Sequence, residues 1–182
     1  MELGDLYTSK LGRKSARLRS KDTQEAITLC TTPMIAPFGL STFEKNASRQ
    51  SLSLRCSDAV TLAFFEELDR WALKYLEEHS ERVLGKKLSA EQIAVWYKPC
   101  LKTTPGYEPL LKVKIGPDTC YWDAQKQRLQ SVDDTTWRTL PARYKLSVPQ
   151  MWIMPGSCGF LVCADHVCFS EQANDTVQTC PL

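Results

Sequence analysis

The chain has 182 residues, of which 43% are hydrophobic and 24% are charged. This balance excludes wholesale disorder and fibrous repeats, and the length is sufficient for a folded domain with its own core. The net charge of +2 is unevenly distributed. Residues 1–22 hold six basic and three acidic groups, whereas residues 55–82 hold four basic and seven acidic groups. Because local clusters decide what a surface attracts, the basic start is a candidate for contact with an acidic partner.

The first residues lack the apolar core of a signal peptide, and no window approaches 18 uncharged apolar residues. We therefore expect an intracellular protein, in the nucleus or in a viral replication compartment, that is neither secreted nor membrane-bound. In such a compartment the eight cysteines stay reduced and behave as small apolar side chains.

Residues 1–25 are predicted to form a flexible basic arm, because residues 8–24 are rich in Lys, Arg, Ser and Thr and show little apolar periodicity. A solvated terminus, a nucleic-acid-binding arm and a nuclear import signal all fit this composition. The folded domain is expected to span residues 26–171 and to be followed by a C-terminal tail, residues 172–182.

Two strands and a long helix are predicted next. Ile27–Cys30 and Ser51–Cys56 have the composition and alternation of half-buried strands. Apolar residues then recur at helical spacing from Val60 to Tyr75, after a candidate N-cap at Ser57 or Asp58. This helix is expected to end near Gly85 and to turn its acidic face away from any phosphate backbone.

A short second helix and several strands complete the prediction. Ser89-Ala-Glu-Gln92 is a capping box, which predicts a helix to about Trp96. Leu110 to Ile115 alternates as a strand with a basic outer face, and Gly116-Pro-Asp118 is a turn signal. Tyr144–Met154 and Phe160–Phe169 are predicted to form a hairpin. About six strands and two helices in this order favour an α+β fold with a small closed or partly open β-barrel.

Six segments resemble, in their order, the single-stranded DNA-binding proteins of large eukaryotic DNA viruses of the poxvirus and algal-virus type. They are Pro37-Phe-Gly-Leu40, Ser51-Leu-Ser-Leu54, Leu84-Gly-Lys-Lys87, Trp96-Tyr-Lys-Pro99, Leu111-Lys-Val-Lys114 and the stretch from Trp152 to Gly159. The resemblance implies an OB-like antiparallel β-barrel, with one long and one short helix inserted among the strands. It also implies a protein that coats and protects single strands during replication, recombination or repair. The longer members bear an extended acidic tail, and because this sequence departs from them there, the resemblance does not imply tail-mediated recruitment of partners.

Basic and aromatic residues are interleaved in the second half of the chain, as a strand binder requires for phosphates and for base stacking. The candidate nucleic-acid-binding residues are Lys98, Lys102, Tyr107, Lys112, Lys114, Tyr121, Trp122, Arg143, Lys145 and Trp152. Core packing is an equal alternative for Trp122 and Trp152, and solubility is an equal alternative for Lys112 and Lys114. Phe38 is expected to plug one end of the barrel. Binding without sequence preference and without a cofactor is the expected function.

The same chain allows other functions. Cys158, Cys163, His166 and Cys168 form the only cluster of metal-ligand atoms, but their spacing does not suit a zinc knuckle, so no metal is expected. The usual enzyme motifs are missing, and we expect no enzyme. The alternative is a protein–protein interaction domain on the barrel scaffold. RNA in place of DNA, a homo-oligomer, and replication or repair proteins as partners all remain open.

Overall fold

The computed structural model describes residues 1–10, 12–42 and 50–170. These residues form eleven strands and three helices in two compact units. The elements are β1 (Glu2–Thr8), β2 (Lys14–Arg19), β3 (Ile27–Cys30), β4 (Ser41–Thr42), β5 (Gln50–Arg55), α1 (Ala59–Leu84), α2 (Ala90–Trp96), β6 (Tyr97–Lys98), β7 (Leu101–Thr104), β8 (Tyr107–Trp122), β9 (Arg128–Leu129), α3 (Asp134–Thr139), β10 (Ala142–Met154) and β11 (Ser157–Phe169). The predicted tail, residues 172–182, lies outside the described residues.

The first unit comprises Met1–Ile27, Leu62–Leu101 and Val148–Leu161. Its strands follow the order β1, β2, β10, β11 and β6. β1 pairs antiparallel with β2, β2 pairs antiparallel with β10, and β6 pairs parallel with β11. The predicted hairpin between β10 and β11 is confirmed, with a turn at Pro155 and Gly156. The division between the units falls within β10 and β11, so each unit contains part of both strands.

The N-terminal segment is a β-hairpin, and the prediction of a flexible arm over residues 1–25 is therefore wrong. Leu3, Ala16 and Leu18 are buried in the first unit, and burying each large apolar side chain contributes about 1.5–3 kcal/mol. The alternation of Lys14 to Arg19, with apolar residues at positions 16 and 18 only, is the pattern of a half-buried strand. Because the segment is rich in basic residues, its composition indicated a flexible arm rather than this strand.

The two predicted helices are confirmed. The Asp58 side chain accepts a hydrogen bond from the Thr61 amide at 2.8 Å and caps the N-terminus of α1. Gly85, in the left-handed region at φ +77, follows the last residue of α1. Ser89 and Gln92 form the predicted capping box of α2. His79 has non-helical backbone angles and marks a kink in α1.

The second unit comprises the described residues within Thr28–Thr61, Lys102–Ser147 and Val162–Leu182. β4, β5, β8 and β11 are neighbours in this order, while β3 pairs with β10 and β9 with β8. The antiparallel pairing of β5 with β8 aligns Leu52 with Val113 and Leu54 with Leu111, and all four side chains are buried. α3, which sequence patterns did not predict, is capped by Asp133 and buries Trp137.

The predicted turn at Gly116-Pro-Asp118 is wrong, because β8 continues through it. The Gly116 amide donates to Thr119 Oγ1 at 3.0 Å, and Thr119 Oγ1 donates to the Ala164 carbonyl at 2.8 Å. The pairing of β8 with β11 shifts in register at this place. Side-chain hydrogen bonds thus carry the strand past a proline that cannot donate.

The α+β class is confirmed, but the antiparallel barrel is not. β11 pairs parallel with β6 in the first unit and with β8 in the second, so the pairing is mixed. In neither unit do the described strands close on themselves, since the first ends at β1 and the second at β4. Among the described residues, no helix has both the length and the apolar character needed to cross a membrane.

Candidate nucleic-acid interface

Five neighbouring strands of the first unit place Tyr7, Ser15, Trp152, Gly159 and Lys98 in one row. Tyr7 and Trp152 are both directly opposite Ser15, and Gly159 is directly opposite Lys98. A Cβ added to Gly159 would lie 2.8 Å from the Trp152 ring, so the indole covers the glycine. Directly paired residues project to the same side of a sheet. We call this set the aromatic row.

The rings of the aromatic row differ in mobility. Tyr7 is 64% exposed. Trp152 is half-buried, and its Nε1 donates to the Phe160 carbonyl at 3.2 Å, which fixes the indole against the sheet. Lys98 is exposed, and its Nζ donates to the Val95 carbonyl at 2.9 Å. The row therefore offers one fixed ring, one open ring and one ammonium group.

A polar groove of about 390 Å³ runs along the same unit. Its lining residues are Glu2, Gly4, Asp5, Tyr7, Ser15, Arg17, Arg19 and Gln150. Arg17 is directly opposite Gln150, and Arg19 is directly opposite Glu2. We call it the arginine groove. It shares Tyr7 and Ser15 with the aromatic row, so guanidinium groups and an exposed ring lie on one continuous surface.

A partly buried carboxylate anchors the strand that carries Lys98. Asp69 of α1 accepts hydrogen bonds from Tyr97 Oη at 2.6 Å and from the Cys100 amide at 3.0 Å. Burial raises the pKa of Asp69, although these hydrogen bonds act in the opposite direction. Asp69 therefore does not share the exposed acidic face expected for the helix, whereas Glu66, Glu67, Glu77 and Glu78 are exposed.

The predicted basic face of β8 lies in the second unit. Lys112 and Lys114 alternate with the buried Leu111, Val113 and Ile115, which confirms the predicted alternation. Lys112 is opposite Ser53, and Lys114 is opposite Ser51. Lys112 is exposed, whereas Lys114 is half-buried beside the buried Ser51. Their contact with a nucleic acid stays a prediction.

Other predicted residues occupy separate positions in the second unit. Lys102 and Tyr107 lie on the hairpin of β7 and β8, where Tyr107 is 78% exposed next to the turn at Gly106. Arg143 and Lys145 are half-buried and alternate with buried residues of β10. The structure therefore does not bring the predicted site residues together in one unit, because Lys98 and Trp152 belong to the first.

Tyr121 and Trp122 pack against other ring side chains. The Tyr121 ring meets Trp137 edge to face at 5.8 Å, and burial raises the pKa of its hydroxyl. Trp122 stacks on His166 at 6.1 Å, and its Nε1 donates to His166 Nδ1 at 3.2 Å. Of the two alternatives considered for Trp122, these contacts favour a structural role.

Phe38 does not plug the interior, because its side chain is 63% exposed. The bend that presents it is tied to α3, since the Leu40 amide donates to Asp134 Oδ1 at 3.2 Å. Gly39 has φ +62, and a Cβ at this position would collide with the same carboxylate oxygen. The expectation of a plug is corrected to an exposed ring on a fixed bend.

The cysteine and histidine candidates are not assembled as a metal site within the described ranges, which contain no group of three possible ligands. Burial raises the pKa of Cys158 to about 11 and that of Cys163 above its usual value. A raised pKa disfavours the thiolate that binds metals or attacks substrates. None of the seven described cysteines forms a disulfide bond.

Sequence reasoning missed Tyr7, Arg17, Arg19 and Gln150. The available signal was the alternation of Lys14 to Arg19, which places Arg17 and Arg19 on the side opposite Ala16 and Leu18. Gln150 and Tyr7 carried no comparable signal, because their place depends on pairing between distant segments.

No protein-family model matches the chain, and no curated protein matches its sequence. Three solved structures of a single-stranded DNA-binding protein from bacteriophage Enc34 are similar to it. The form in complex with single-stranded DNA has 8% identity and a TM-score of 0.48, covering 96% of this chain and 94% of that one. The C-terminal truncation has 8% identity and a TM-score of 0.47, covering 97% and 95%. The third has 8% identity and a TM-score of 0.46, covering 97% of each chain.

The poxvirus and algal-virus resemblance finds no support in these comparisons, since no sequence relative of that type is found. The similar structures come from a bacteriophage. Because a TM-score below 0.5 does not establish a shared fold, a functional conclusion has to rest on the chain's own residues.

Proposed function

We propose that the chain binds single-stranded nucleic acid, with single-stranded DNA as its ligand, across the aromatic row and the arginine groove. The supporting observation is the shared surface of Tyr7, Trp152, Arg17 and Arg19 on one side of the first unit. Single-strand binders combine aromatic rings for stacking with cations that follow the phosphates. Both groups are present here on rigid strands.

Trp152 and Tyr7 are proposed to stack on bases in different ways. Trp152 is fixed by its hydrogen bond to Phe160 and by its contact over Gly159, so it loses little side-chain entropy on binding. Tyr7 is exposed and can adjust to a base. Stacking contributes about 1–3 kcal/mol for each base. A duplex hides the faces of its bases, so this surface favours a single strand.

The cations supply the remaining binding energy. Arg17, Arg19 and Lys98 can each contact a phosphate, whereas the exposed glutamates of α1 would repel one. We also propose that the chain coats single strands during replication, recombination or repair, and that it can do so as a homo-oligomer. The lysines of β8 are proposed as a further contact for phosphates in the second unit.

The test is a fluorescence-anisotropy titration of labelled oligo-dT with the wild type, Tyr7→Ala, Trp152→Ala and the double variant Arg17→Gln with Arg19→Gln. Each variant is expected to bind at least about fivefold more weakly, which corresponds to about 1 kcal/mol of stacking or phosphate contact. Urea unfolding of each variant separates a weakened interface from a destabilised fold.

Lys74→Gln with Lys87→Gln is the matched control, because it removes two exposed positive charges from α1 and the segment that follows it in the same unit. Its affinity for oligo-dT should stay within about twofold of wild type, the change expected from net charge alone. Equal decreases in affinity in the control and in the arginine variant would refute a localised interface. Salt-insensitive capture of a protein partner, with no DNA binding, would favour the interaction-domain alternative.

A further inference from the structure

The arginine groove contains acidic as well as basic side chains, which is unusual for a surface that contacts only phosphates. Asp5 and Glu2 line it together with Arg17 and Arg19. A carboxylate repels phosphate but accepts hydrogen bonds from base edges. This mixture points to the recognition of a base within the groove.

A β-bulge in β1 contains Asp5. Leu3 is opposite Leu18 and Leu6 is opposite Ala16, so Gly4 and Asp5 together face the single residue Arg17. Such bulges redirect a side chain and are common beside binding sites. A Cβ added to Gly4 would lie 3.7 Å from the Arg17 carbonyl oxygen, an ordinary contact distance, which places Gly4 beside Arg17. The bulge thus places the Asp5 carboxylate and the Arg17 guanidinium on the same stretch of the groove.

The two carboxylates are not equivalent. Glu2 Oε1 accepts a hydrogen bond from Gln24 Nε2 at 2.7 Å, which holds it at the end of the groove. Within the described part of the chain, no hydrogen bond or ion pair engages the side chains of Asp5, Arg17 or Gln150. These three are therefore available to a ligand.

We infer that the arginine groove holds one base of the bound strand and selects guanine; this inference rests on the proposed function. Guanine presents donors at N1 and N2, which a carboxylate can accept together, and acceptors at O6 and N7, which an arginine can bind bidentately. Cytosine and adenine place a ring acceptor beside the amino group, which Asp5 would repel. Thymine has one donor between two carbonyls. Tyr7, at the edge of the groove, stacks on the base.

The experiment uses the full chain and short labelled oligo-dT strands in which one central thymidine is replaced by deoxyguanosine, deoxyinosine, deoxyadenosine or deoxycytidine. The guanine strand is expected to bind about tenfold more tightly than oligo-dT, in line with one bidentate contact. Deoxyinosine lacks the N2 amino group and should lose most of this gain. Asp5→Asn should abolish the preference for guanine over thymine, because the neutral amide can no longer accept from N1 and N2 together.

Asp22→Asn is the matched control, since Asp22 is an exposed aspartate on the turn after β2 and outside the groove. It should keep the full preference for guanine. Tight but equal binding of all strands would overturn the guanine inference while leaving the proposed function standing. A preference that survives in Asp5→Asn, or that favours cytosine, would overturn it too. Failure to bind any strand would refute the proposed function itself.

Discussion

Replacing Gly159 by alanine tests how the aromatic row is built. The new Cβ would lie 2.8 Å from the Lys98 carbonyl oxygen and 2.8 Å from the Trp152 ring, in each case 0.6 Å short of the 3.4 Å at which ordinary contacts begin. The carbonyl belongs to a paired strand and cannot rotate away, so both β6 and the indole must shift. Overpacking of this kind costs about 1–3 kcal/mol. We expect the free energy of unfolding to fall by about 2 kcal/mol. Oligo-dT should bind at least about fivefold more weakly, because the Trp152 ring moves.

Urea denaturation and anisotropy titration of the same preparation measure the two effects. Gly116→Ala is the control, since Gly116 is also in a strand, has no positive φ, and has its nearest neighbour, the Asp118 amide nitrogen, 4.0 Å from an added Cβ. Its unfolding free energy should change by less than about 0.5 kcal/mol. Unchanged stability and affinity of Gly159→Ala would refute the packing of Trp152 over Gly159 and its part in binding.

Three further changes have defined outcomes. Asp69→Ala should destabilise the chain by about 3 kcal/mol in urea denaturation, because the buried Tyr97 hydroxyl and the Cys100 amide lose their acceptor; Glu66→Ala on the same helix should be nearly neutral. Asp58→Ala should cost about 1 kcal/mol at neutral pH, because α1 loses its cap. Hydrogen bonds from Thr61 lower the pKa of Asp58. The difference in unfolding free energy between wild type and variant should therefore shrink as the pH falls below the ordinary value of 3.8 and through the lowered pKa. A pH-independent difference would contradict the capping role. Lys112→Glu with Lys114→Glu should weaken oligo-dT binding. The slope of log K against log salt should fall by about 1 for each phosphate that is no longer neutralised. Unchanged affinity in the folded variant would exclude β8 from the binding interface.

The helices were predictable because their signals are local. The Ser89 capping box and the apolar stripe of α1 depend on residues within a few turns of one another, and both helices lie where these patterns indicate. The hairpin of β10 and β11 was predictable for the same reason, since its turn contains Pro155 and Gly156. α3 is only six residues long and has no apolar stripe to announce it.

The sheet and the interface depend on pairings that no local pattern encodes. The parallel pairing of β8 with β11 overrides the turn chemistry of Gly116-Pro-Asp118, and the described strands end at β1 and β4 without closing. The aromatic row joins Tyr7, Lys98 and Trp152 from three distant parts of the chain. A search for basic and aromatic clusters therefore named Lys98 and Trp152 as candidates but assigned Arg17 and Arg19 to a flexible arm.

The first unit is proposed to bind single strands through aromatic rings and cations together. The most direct measurement is the affinity of the wild-type chain for oligo-dT and for a duplex of equal length over a series of salt concentrations. With about five cations on the phosphates, three in the first unit and two on β8, the logarithm of the association constant should fall against that of salt with a slope of about −3.5, and the duplex should bind more weakly. Equal affinity for the duplex, or no binding at low salt, would contradict the claim.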